Sequence, residues 1–141
     1  MKLSQLVKMS GKLRKINSGF VRIVAYKEGR NKKGFAVALA KSYTPTVFKQ
    51  GKRQAAKDKS KYVTKITFID NKLNVKVSCS CADFVFGGWE YANAKRGAAD
   101  IIFGNGEPPT VKNPDNRPGL CKHLLAVAEE VKSRHPKLTG I

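Results

Sequence analysis

The sequence predicts an α+β fold: antiparallel β-hairpins carrying a C-terminal helix that a metal site staples to the sheet. Three observations predict it. Residues 62–69 and 73–80 are two strand-like runs around a short polar turn, the second strictly alternating, which is the pattern of a half-buried hairpin. Residues 120–131 place Leu124, Leu125, Val127, Ala128 and Val131 mostly on one helical face. All three cysteines and one of the two histidines fall as Cys79-x-Cys81 and Cys121-x-His123, with 39 residues between the pairs.

In chain order, Leu3, Leu6, Val7 and Leu13 are spaced loosely like a short amphipathic helix, interrupted at Ser10-Gly11. Its lysines (Lys2, Lys8, Lys12, Lys15) fit an exposed face or a phosphate-seeking arm. Residues 20–26 are rich in β-formers, and residues 35–43 alternate. Phe35, Val37 and Leu39 share one face; Ala36, Ala38 and Ala40 share the other, where small side chains let a helix pack closely. Residues 28–34 form the loop of this first hairpin. Its tip projects Arg30, Lys32 and Lys33 into solvent, well placed for phosphate contact.

Thr44-Pro45-Thr46 breaks the alternation. Residues 49–61 then carry Lys49, Lys52, Arg53, Lys57, Lys59 and Lys61 with too little apolar content to bury themselves. They read as a short helix over 53–59 or as a mobile basic linker that orders on binding. In the second hairpin Asp70-Asn71-Lys72 makes the turn, and Leu73, Val75, Val77, Cys79 and Cys81 share one face. Residues 89–102 read as a helix with Gly97 as a local weakness. The aromatics Phe84, Phe86, Trp89 and Tyr91 read as core in preference to a base-stacking platform. Residues 104–119 are a loop rich in Gly, Asn and Pro. Lys132 and Arg134 followed by Pro136 end the last helix.

A Cys-x-Cys pair on a strand points both sulfurs to one face. Cys121 opens a helix, where the positive end of the backbone dipole favours thiolate. Three thiolates and one imidazole suit tetrahedral zinc, and four protein ligands close the site, so the metal role is structural. His135 stands outside this set, as a partner for the C-terminal end of the helix dipole. Three cysteines cannot all pair as disulfides.

Cys79-Ser80-Cys81-Ala82-Asp83-Phe84 and Cys121-Lys122-His123-Leu124-Leu125-Ala126-Val127 resemble the SWIM zinc finger, a Cys-x-Cys…Cys-x-His module on a strand–strand–helix frame. The resemblance covers about residues 62 to 135. It implies one zinc held by Cys79, Cys81, Cys121 and His123, and DNA-associated or protein-binding roles. The spacer is longer than is usual for that family. In this respect the chain is similar to small phage-encoded SWIM-type proteins, some of them associated with virions.

Charge divides the chain into a basic region, residues 1–61, and a zinc-binding module with a long spacer, residues 62–141. The first holds 17 Lys/Arg against 2 Asp/Glu, a net +15; the second holds 11 against 8, a net +3. Such asymmetry points to a polyanion, with nucleic acid first and DNA ahead of RNA. The competing class is a structural or assembly protein, such as a virion component docking on acidic subunits. No nucleophile–base set, phosphate loop or spaced carboxylate pair stands out, so no enzyme and no small-molecule substrate is expected. Residues 1–15 lack a continuous apolar run, and no stretch approaches transmembrane length. The expectation is a protein that is cytoplasmic at synthesis, or in a virion, with no membrane partner.

Overall fold

The computed structural model describes residues 1–104, 106, 113 and 116–139. The chain opens with two short helices, α1 (Leu3–Met9) and α2 (Lys12–Ser18), separated at the anticipated Ser10-Gly11 break. Ser10 is buried there. Its hydroxyl donates to the Leu6 carbonyl (2.7 Å) and accepts from the Leu120 amide (2.9 Å), which ties the break to the start of the last helix. Leu3 and Leu6 are core residues, whereas Leu13 beyond the break is exposed.

Strands β1 (Arg22–Arg30) and β2 (Ala36–Tyr43) pair antiparallel, with a register shift between Ile23 and Ala25. The hairpin loop shrinks to residues 31–35. Asn31 closes it by accepting from the Lys33 and Phe35 amides, and Gly34 supplies the positive φ of 85°. Ala38 and Ala40 are buried while Leu39 is 40% exposed, so the small-residue face is the core face.

Residues 46–55 correct the sequence reading. They form neither a helix nor a loose linker but a second, two-stranded sheet, β3 (Thr46–Lys49) with β4 (Lys52–Ala55). Gln50 (φ 54°) and Gly51 (φ 76°) make a two-residue turn with both φ values positive, the geometry tight hairpins favour. Asn17 of α2 holds β3 in place by bonding both the amide and the carbonyl of Phe48. Residues 57–61 lie in no helix or strand.

Strands β5 (Tyr62–Phe68) and β6 (Val75–Cys79) complete a four-stranded antiparallel sheet in the order β1-β2-β5-β6. The basic region and the zinc-binding module therefore share one hydrogen-bonded sheet, through β2 and β5. Asp70 organises the turn by accepting from the Lys72 amide and from the Asn74 amide and side chain. Leu73 adopts φ 66° and leaves the strand, so β6 starts at Val75.

The spacer departs from the single helix predicted over 89–102. It holds two short helices, α3 (Ala82–Phe86) and α4 (Trp89–Ala94), split at Gly87-Gly88. The chain turns at Gly97 (φ 69°), and the Ala98 carbonyl accepts from Val77 on the outer edge of β6. Two buried polar residues fasten it. Glu90 accepts from the Phe103 (3.2 Å) and Gly104 (2.8 Å) amides, and the Asn93 amide pairs with both backbone groups of Gly119 (2.8 and 3.0 Å). Phe84 is core as anticipated; Trp89 packs on the core beneath the Arg14 guanidinium (4.3 Å), and Phe86 is 76% exposed. Much of the predicted 104–119 loop lies outside the described residues.

The last helix, α5 (Lys122–Arg134), packs on β2, β5 and β6, with Leu124, Leu125, Val127, Ala128 and Val131 all buried. A 3-10 turn, Pro136–Thr139, follows.

Candidate metal centre

Each ligand is delivered by an element end. Cys79 is the last residue of β6, Cys81 is the N-cap of α3, Cys121 is the N-cap of α5, and His123 lies in the first turn of α5. Cys81 is thus not in the strand, as the alternation implied; Ser80 turns the chain and the helix start aims the sulfur back. All four residues are buried, and their ligand atoms lie within 4.8 Å of one another. Sulfurs about 2.3 Å from one zinc stand about 3.8 Å apart, so a slight contraction closes the set.

The histidine identifies its own ligand atom. His123 Nε2 lies 3.2 Å from Thr44 Oγ1, while Nδ1 is buried with no hydrogen-bond partner. A buried imidazole nitrogen without a partner costs free energy unless something coordinates it. The arrangement therefore assigns Nδ1 to the metal and the proton to Nε2, with Thr44 as the acceptor that fixes the ring. Tyr62 packs its ring against the imidazole (5.2 Å between centroids).

The thiols share their protons unequally. Hydrogen bonds from Cys121 and Cys79 hold Cys81 far below the ordinary thiol range. Burial pushes Cys121 well above it. Cys79 is raised despite its lowering hydrogen bond with Cys121, through its bond with Cys81 and burial. Without metal, burial opposes the thiolate that the helix start favours at Cys121, whose sulfur accepts from the Leu124 amide (3.5 Å). His135 stays out of the cluster, 2.8 Å from Glu28 on β1.

The nine cations singled out in the sequence are all exposed, and the fold parts them into two groups. Arg30, Lys32 and Lys33 sit at the end of the sheet where β1 passes into β2. Arg30 donates to the Gly34 carbonyl. Lys49, Lys52, Arg53, Lys57, Lys59 and Lys61 lie between β2 and β5, at the opposite end, where the metal ligands are. Arg53 stacks over Phe20 (5.3 Å). The eight residues of β2 separate the groups by about 26 Å. Thr44 was missed in the sequence, although the alternation of Ala38, Ala40 and Ser42 continues onto it and marks its inward face.

The fold and site define a small α+β protein whose helix is fastened to a sheet by a Cys3His cluster that fits one structural zinc. Residues 66–89 and 117–132 match the family model described as SWIM zinc finger, and the two matched stretches hold the four clustered residues. The match ends at Trp89 and resumes at Arg117, so most of the spacer lies outside it. It says nothing of a viral source or of a virion. No curated protein and no solved structure matches the chain. No helix among the described residues is long and apolar enough to cross a membrane.

Proposed function

We propose that the protein is a zinc-stabilised nucleic-acid-binding module that contacts phosphates largely without regard to sequence, and that it is not an enzyme. The observation that carries this reading is the net +15 on residues 1–61, where none of the nine candidate cations pairs with a carboxylate among the described residues. Uncompensated charge of that density repels itself and is offset by a polyanion. Zinc with four protein ligands has no open position for substrate, so its role is to hold α5 and the spacer on the sheet. Among the described spacer aromatics only Phe86 and Phe103 stand well exposed, 17 residues apart in the chain, which favours phosphate contact over base stacking and duplex DNA over RNA.

The test is anisotropy of a labelled DNA duplex across a salt series. Each neutralised phosphate contributes about 0.9 to the slope of log affinity against log salt. Replacing Lys49, Lys52, Arg53, Lys57, Lys59 and Lys61 with Gln should flatten the slope by several units at unchanged zinc content. A wild-type slope near zero ends this reading. A salt-resistant complex with a protein subunit, formed equally by the six-site variant, replaces it with the assembly role.

A further inference from the structure

The strand register uncovers a basic surface that the linear sequence hides. Directly paired residues share a sheet face. The ladders therefore put Leu39 between Lys27 and Lys65, Lys41 between Ala25 and Val63, and Lys76 beside Thr67, all on the face opposite the core. Helix α5 covers the other face. Leu39 (40%) and Val63 (44%) are exposed, so no described residue covers the middle of this one.

The four lysines step across the sheet, one per strand, each one pair-row from the next. With strands about 4.8 Å apart and rows about 6.8 Å apart, neighbouring lysines are rooted about 8 Å from each other. That is about one Debye length at physiological salt, so their fields add. No acidic residue occupies this face on any strand; the nearest carboxylate is Asp100, which pairs with Lys76 (2.9 Å). Lys27, Lys41 and Lys65 have no carboxylate partner among the described residues. The face also spans the distance between the two groups of basic loops and joins them.

We propose that this open sheet face is the platform on which a nucleic-acid duplex lies, its phosphates held by Lys27, Lys41 and Lys65 between the loop cations at either end. The proposal rests on the nucleic-acid reading above and gives it a surface. The occupant is a duplex and not a single strand. The positions between the lysines are Ala25, Leu39, Val63 and Thr67, which offer no ring on which a base could stack; Tyr43, the next outward position of β2, lies beyond Lys41 at the strand end. Short aliphatic side chains instead leave a flat floor from which lysines reach a backbone. Lys65 lies outside the basic region, so the surface cannot be found by charge counting along the chain.

The test compares the full-length zinc-loaded protein with K27Q/K41Q/K65Q and, separately, with K57Q/K59Q/K61Q, on a mixed-sequence DNA duplex and on its single strand. The sheet variant should lose about 2 to 3 units of salt slope at unchanged zinc content. On the unaltered protein, amine acetylation read by mass spectrometry should show Lys27, Lys41 and Lys65 protected by duplex. This second measurement does not depend on how the variants fold. A sheet variant with the wild-type slope, protection confined to Lys57, Lys59 and Lys61, or tighter binding of the single strand overturns the proposal while leaving nucleic-acid binding intact. Absence of salt-dependent binding by the wild type removes both.

Discussion

Thr44→Val is the sharpest probe of the metal centre, because it removes one hydroxyl, keeps the side-chain shape and replaces none of the four ligands. Thr44 is 1% exposed, and its Oγ1 lies 3.2 Å from Nε2 of His123. With Nδ1 turned to the metal, Nε2 carries the proton, and valine leaves that N–H buried without an acceptor. An orphaned buried donor costs about 1–3 kcal/mol. Loss of the partner that orients a ligating histidine typically weakens metal binding about 10- to 100-fold. That range converts to about 1.4–2.7 kcal/mol, so the two independent estimates coincide. The assay is competition for zinc with a chromophoric chelator, on wild type, Thr44→Val and Thr44→Ser. Serine restores the acceptor and should recover most of the affinity. Cobalt(II) substitution should keep the tetrahedral absorption bands in all three proteins. Zinc affinity of Thr44→Val within twofold of wild type would show that the Nε2 contact does no work. Thr44→Ser as weak as Thr44→Val would assign the effect to packing.

Chelating the metal should abolish amide-exchange protection in residues 75–79 and 122–131, since the ion joins β6, α3 and α5; native protection after chelation would refute a structural role. Gly87→Ala places a Cβ 2.1 Å from the Asp83 carbonyl oxygen and should destabilise by about 1–3 kcal/mol in urea unfolding, whereas Gly29→Ala meets nothing within 4 Å and should stay within about 0.5 kcal/mol. Equal midpoints for the two variants would contradict the packing at the α3–α4 junction. Glu28 is held below the usual carboxylate range by the Tyr26 hydroxyl and then by His135. Its folded pKa is depressed, so its contribution to stability is present above the unfolded carboxylate value and fades as pH falls through the lowered one. Tyr26→Phe should move the Glu28 titration, followed by carbon NMR, to higher pH; an unmoved midpoint would show that the hydroxyl is not the cause.

What the sequence made legible is what rare residue types and simple periods encode. The four ligands stood out because they exhaust the cysteines and sit at the seams of recognisable elements. Helix α5 and the β5–β6 hairpin followed from period and turn chemistry, with ends shifted by at most three residues. The features it hid depend on partners far along the chain. The β3–β4 hairpin has a modest local signal in Gln50-Gly51, and its fixing bonds come from Asn17, 31 residues upstream. The helix over 89–102 stops at Ala94 because Gly97 turns the chain and the Ala98 carbonyl bonds the Val77 amide of β6. At Cys121 the helix start is visible in sequence, and the burial that opposes its effect is not.

The spacer shows how a metal site of this kind tolerates so long a connection between its ligand pairs. Closing a loop costs little more as the loop lengthens, about 0.6 kcal/mol per doubling, so 39 residues between ligand pairs are a small entropic burden. This connection also offsets that burden with structure of its own. It buries Phe84, Ala92 and Ala98, satisfies the carboxylate of Glu90 with backbone amides, and locks Asn93 onto the residue before Leu120. It then bonds the outer edge of β6, where Met1 also bonds Val75, so that edge is not open to other strands. Among the described residues the edge strand β1 is left uncovered, and it carries Arg22, Lys27 and Arg30. Cations on an edge strand discourage pairing with another copy of the same chain. The same lysine and arginine side chains that would draw a polyanion onto the sheet therefore also keep the unbound protein from adding strands to itself.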